Sequence, residues 1–178
     1  MEEDTWYASR RARWKPDRVR LLMIAESAPD SGGDVSARRF FYDERLTGDD
    51  SLFREVVKVL YDSPSLASGP GQKVPWLAQL QRDGVYLIDL ASRPVNYDDP
   101  QARAGALKAN IDKTIQVAEA LQPNGIVLIK KNVFELLAEP LRRLALPVLH
   151  EQFITFPGSG QQKRFRQSFA TAIVGLRL

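Results

Sequence analysis

Three short, mainly apolar runs, at residues 21–25, 85–90 and 125–129, alternate with segments of helical period, and this alternation most narrows the folds open to the chain. Continuous apolar runs, unlike alternating ones, mark strands covered on both faces, as in parallel sheets. A fourth run begins at 147–150 and resumes around Phe153 and Ile154. The intervening segments carry helix signals. Ser51 stands as an N-cap before Leu52, Phe53, Val56, Val57 and Leu60, residues 74–81 form a short helix, and 101–121 read as one long amphipathic helix ending before Pro123. Asn132 caps a helix through 144, and 165–174 close the chain. Strand and helix in alternation, joined by right-handed crossovers, predict an α/β protein. We expect a three-layer α/β/α sandwich with a mainly parallel four-stranded sheet.

The 178 residues suit a single domain spanning 1–178, with 1–17 forming a basic N-terminal arm or helix. There is no cysteine and only one histidine, so thiolate and multi-histidine metal sites, iron–sulfur clusters and disulfides are excluded. No apolar run approaches the roughly 18 residues that cross a bilayer. We expect a cytoplasmic monomer without metal, cofactor or membrane association. Lys and Arg number 25 against 22 Asp and Glu, a net charge of +3. The basic residues gather at Arg10, Arg11, Arg13, Lys15, Arg18 and Arg20, and again at Lys163, Arg164 and Arg166. Such clusters either follow a phosphate backbone or are a solvated surface.

Ligands of open α/β sheets bind beyond the carboxyl ends of the strands. There the first run stops at Glu26, Ser27 and Pro29, the second ends at Asp89 before Arg93 and Pro94, and the third ends at Lys130 and Lys131. Residues 31–50 form a long polar loop interrupted by Phe40, Phe41 and Tyr42, and loops of that length are functional or disordered. Three adjacent aromatics cannot all point one way, so at least one packs in the core. His150, among apolar residues, reads as a satisfied strand-end histidine rather than a catalyst.

The ordered set LLMIAESAPD, RFFY, GVYLIDLASRPVNYDDP, GIVLIKK with NVFELL, and FPGSGQQKRF resembles the uracil-DNA glycosylase superfamily over most of the chain, in particular branches whose first motif reads roughly Gly-Glu-Ala-Pro-Gly. The resemblance implies a DNA-base glycosylase, a hydrolase of N-glycosidic bonds, that flips a base into a strand-end pocket. It places Glu26 and Ser27 in the catalytic loop, Phe40, Phe41 and Tyr42 where a ring stacks on the base, and Asp89 where an Asn reads the base edge. Gly158, Ser159, Gly160, Lys163 and Arg164 fall where a His-Pro-Ser loop grips the nucleic-acid backbone.

The departures lie in the chemistry. Ser27 takes the place of the water-positioning Asp, Asp89 that of the base-reading Asn, and Phe156 that of the motif histidine, which donates a hydrogen bond to the departing base. Residue by residue, Glu26 is either the carboxylate that stabilises an oxocarbenium-like sugar or an ion-pairing carboxylate. Ser27 holds water or phosphate, or forms a turn. Asp89 faces a bound base, or pairs with Arg93. The leading expectation is an atypical glycosylase acting on DNA, with RNA or a free nucleotide as other partners. The alternative is a catalytically inactive nucleic-acid- or nucleobase-binding protein of the same fold. A hydrolase of small nucleosides or nucleotides is a third.

Overall fold

The three apolar runs are the strands of one parallel sheet in a computed structural model of the chain, which describes residues 5–30 and 39–178. Strands β1 (Leu21–Ala25), β2 (Val85–Asp89) and β3 (Gly125–Leu128) are arranged in the order β2-β1-β3. Leu21 stands opposite both Val85 and Gly125, and Ile24 opposite Ile88 and Leu128. Successive side chains of a strand point to opposite faces, and every residue of β1 is buried, so both faces of the sheet are covered.

Seven helices surround the sheet among the described residues: α1 (Thr5–Arg13), α2 (Ser51–Leu60), α3 (Val74–Asp83), α4 (Pro100–Lys108), α5 (Ile111–Leu121), α6 (Lys131–Arg143) and α7 (Gln162–Ile173). Helix α2 packs on α7, α5 packs on α6, and both α6 and α7 rest on β3. The buried stripe Val133, Leu137, Ala138 and Leu141 of α6 shows the helical spacing that drives this packing. Helix α3 ends at Gly84, whose φ of 76° is left-handed and where a Cβ would lie 2.6 Å from the Arg18 carbonyl oxygen. Glycine is therefore required on two counts, conformation and space. The first four residues of the basic arm and residues 31–38 of the long loop lie outside the described residues.

The sheet has three strands, not the expected four, and the reason is the imidazole of His150. Residues 147–149 begin to pair alongside β3, where Ile126 donates to the Pro147 carbonyl and Leu149 donates to the Ile126 carbonyl. The Leu128 N–H, next on that edge, is taken by His150 Nε2 at 2.9 Å instead of by backbone. Nδ1 of the same ring lies 2.7 Å from the Gln152 carbonyl oxygen, which fixes Nδ1 as the protonated nitrogen. Pairing resumes only at Ile154, whose carbonyl accepts from Lys130. A side chain thus replaces one rung of the ladder and leaves two isolated parallel bridges, Ile126 with Val148 and Ile129 with Ile154.

The single helix expected over 101–121 is two, α4 and α5. Asn110 is the break, because its side-chain amide donates to the Ala106 carbonyl at 2.8 Å and competes with the backbone ladder. Asp50, rather than Ser51, precedes α2. Lys130, rather than Asn132, precedes α6.

Candidate functional site

The ends of β1 and β2, together with the residues that follow β3, open onto a cavity of about 300 Å³. Its apolar wall includes Phe40, Phe41, Phe53 and Ile129, with Phe156 at 40% exposure. Its polar wall includes Glu26, Ser27, Arg39, Asp89, Asn96, Arg103 and Lys130. An apolar pocket with a few convergent polar groups is the usual character of a small-molecule or nucleobase site.

Glu26 directly follows β1 and is buried. Both its oxygens are fully used. Oε1 accepts from Arg103 Nε at 2.7 Å and from Asn132 Nδ2, and Oε2 accepts from Arg103 Nη2 and Lys130 Nζ. These donors fill the lone-pair sites a carboxylate offers. Burial alone would raise its pKa, but the hydrogen bonds from Arg103, Lys130 and Asn132 outweigh burial and bring it down to about 2. The carboxylate is ionised throughout the physiological range and has no acceptor site left for water. Lys130 reaches it from a strained backbone, with φ 90° and ψ 146°, a region in which only glycine rests at low cost.

Asp89 ends β2 and also lines the cavity. Its Oδ2 accepts from Arg11 Nη2 at 2.7 Å, and no other side chain among the described residues donates to it. Burial raises its pKa and the Arg11 guanidinium opposes that rise. Arg93, the other partner considered for Asp89, forms a double hydrogen bond with Asp98 instead. Helix α1 is therefore no free basic arm. Arg11 is buried against Asp89, while Arg13 and Arg10 pair with Glu44 and Asp43 at 2.6 and 3.8 Å.

The three aromatics 40–42 are all buried and meet edge to face. Phe40 and Phe41 line the cavity and Tyr42 does not. The Tyr42 hydroxyl accepts from the Leu87 N–H at 2.6 Å and donates to the Leu87 carbonyl at 3.0 Å, closing the outer edge of β2. Tyr42 thus supports the sheet and offers no stacking face. The segment is held from behind by Lys73, fully buried, which donates to the Phe40 carbonyl at 2.8 Å and to Asp50 at 2.9 Å. Its ammonium lies 4.8 Å from the Phe53 ring. A buried cation is tolerated only with such partners.

Of the 156–164 segment, only Phe156 lines the cavity. A Cβ on Gly158 would come within 3.2 Å of the Phe156 ring, so glycine there lets the ring lie against the chain. Ser159 and Gly160 have φ of 50° and 81° and form the turn into α7. Lys163 and Arg164 sit in its first turn, exposed. Ser27, half-buried, lines the cavity. The expected site residues thus divide: Glu26, Ser27, Phe40, Phe41 and Asp89 converge, whereas Tyr42, Gly158, Ser159, Gly160, Lys163 and Arg164 stay outside the cavity wall.

Arg103 and Asn132, which complete the Glu26 cluster, carry no local signal in the sequence, each being one polar residue among several on its helix. The described residues contain no helix long and apolar enough to cross a membrane and no group of three or more His, Cys, Asp or Glu placed to hold a metal ion. No known family, curated protein or solved structure matches the chain.

Proposed function

We propose that this protein binds nucleic acid and receives an extruded base in the strand-end cavity, in the manner implied by its resemblance to the uracil-DNA glycosylase superfamily, and that it holds the base rather than hydrolysing its glycosidic bond. The observation that carries this reading is the occupancy of Glu26. Hydrolysis needs a carboxylate able to orient water, and a donor for the departing base. Glu26 has every acceptor site filled and a pKa of about 2, so it neither orients a water nor takes a proton near neutral pH. Phe156, in the place of the motif histidine, donates nothing. What supports base binding is the combination of the Phe40, Phe41 and Phe53 wall with the carboxylate of Asp89. Base–aromatic stacking contributes about 1–3 kcal/mol per base.

A second reading, excision by an atypical glycosylase, is favoured by one observation. Arg103 and Lys130 place cations on the cavity wall, and cations can stabilise a departing base anion without a histidine. Incubation with oligonucleotides carrying uracil and other damaged bases separates the two. Binding with no alkali-labile abasic sites is expected. Abasic sites formed by the wild type and abolished in Glu26→Gln would establish the hydrolase and overturn the holding role.

A further inference from the structure

Arg103 and Lys130 line the strand-end cavity and also line a groove of about 700 Å³ between α4 and the start of α6. We infer that this shared wall is a phosphate subsite, and that a nucleotide whose base lies in the cavity sets its phosphate against Arg103 and Lys130 on the side that faces the α4–α6 groove. The inference rests on the cavity being the base site.

Charge, donors and backbone support it. Two cations surround the one carboxylate of Glu26, which leaves a positive charge at the junction. Arg103 spends only its Nε and Nη2 on Glu26, and Lys130 a single hydrogen, so the Arg103 Nη1 group and the rest of the Lys130 ammonium remain for an anion. Both side chains are about one-third exposed, at 32% and 36%. Of the acidic groups of the groove, Asp98 accepts a double hydrogen bond from Arg93 and also faces the charge of Arg103, and Glu135 pairs with Lys131 of the same groove. Lys108, exposed and in no ion pair among the described residues, adds a further cation to the same groove. Lys130 holds its position at the cost of a backbone conformation suited to glycine, and strain of that kind gathers at ligand sites. The buried carboxylate fixes the two cations in place before any ligand arrives, which lowers the ordering cost of binding.

The phosphate has two possible sources, a nucleic-acid backbone and a free nucleotide. The common nucleosides, their 5′-monophosphates, inorganic phosphate and a short single-stranded DNA are titrated against the full chain, read by calorimetry and by backbone amide shifts. Monophosphates should bind at least about tenfold tighter than the nucleosides, the size of one charge-assisted contact. The gain should vanish in Lys130→Gln, and Lys108→Gln, an exposed change that leaves the fold intact, should weaken DNA binding and lower its salt slope by about 0.7. DNA binding well above the mononucleotide assigns the polymer, and equal affinities assign the free nucleotide. Nucleosides binding as tightly as monophosphates would overturn the phosphate subsite and leave the base site standing. Inorganic phosphate shifting the amides of Lys130 and Arg103, with no nucleoside binding, would keep the anion site and overturn the base site. No response to phosphate, nucleotide or DNA overturns the subsite outright.

Discussion

Replacing Glu26 by Gln separates a structural anchor from a catalyst. The substitution removes the negative charge between Arg103 and Lys130 and puts an amide donor where Arg103, Lys130 and Asn132 also donate. The folded-state pKa of about 2 against an ordinary 4.5 sets the magnitude. At about 1.4 kcal/mol per pH unit, the ionised carboxylate contributes about 3 kcal/mol of stability at neutral pH. Because the folded pKa is depressed, that contribution is complete above 4.5 and is lost as pH falls toward 2. Linkage puts the loss by pH 3 at about 2 kcal/mol. Urea denaturation of wild type and Glu26→Gln at pH 7 and pH 3 should therefore show a gap of about 3 kcal/mol that narrows to about 1. Subtracting one protein from the other removes the titration of the remaining carboxylates. A gap of the same size at both pH values would refute the charge argument and leave packing as the cause.

Lys130→Ala and Lys130→Gly remove the same ammonium but differ in backbone. With φ at 90°, the Gly variant should be the more stable by about 1 kcal/mol or more, reversing the usual order, and urea midpoints in which Ala equals or exceeds Gly would disprove the strained conformation. Tyr42→Phe should cost about 1–3 kcal/mol by stranding the Leu87 N–H and carbonyl, with ligand affinity unchanged, and a loss of binding by a stably folded variant would put the ring in the site after all. His150 is the single histidine, and burial lowers its pKa from 6.5, so folding favours the neutral ring. Stability should hold above pH 6.5 and fall as pH drops through it, and a His150→Gln variant with the same slope from about pH 7 to 5 would place the proton elsewhere.

What the sequence made legible is what short-range pattern encodes. The uninterrupted run Leu21–Ala25 defines a strand buried on both faces, and a strand of that kind places its last residues at a ligand crevice, which is why Glu26, Ser27 and Asp89 meet at one cavity. Adjacency also required that Phe40, Phe41 and Tyr42 divide their roles, though it could not say that Tyr42 would be the one turned to the β2 edge. The fourth strand failed for a reason invisible to hydropathy. The apolar residues around 147–154 are present, but one imidazole nitrogen takes the N–H that a strand needs, and periodicity does not record which acceptor a given N–H finds.

The chemistry of Glu26 was illegible for a related reason, and it is the decisive one for function. Its donors stand 77, 104 and 106 residues away along the chain, on α4, at the end of β3 and on α6. A carboxylate at a strand end is equally a general base, a water holder or an anchor until its partners are counted. The pairing of the α1 arginines is equally hidden from local pattern. Arg10, Arg11 and Arg13 lie near one another on α1, which reads as a patch for phosphate, yet they spend their charge on Asp43, Asp89 and Glu44. By contrast Arg103 and Lys130 lie far apart in sequence and share the carboxylate of Glu26, as Lys58 and Arg166 share that of Glu55. Net positive potential at a site depends on how many of its charges remain after internal pairing, not on how densely they are written along the chain. On the inference that the phosphate contact lies beside Glu26, neutralising Lys163 and Arg164 together should weaken DNA binding less than Lys130→Gln alone. Gel-shift titrations of the two variants at one salt concentration decide the point, and a larger loss in the double variant would return the backbone contact to the loop.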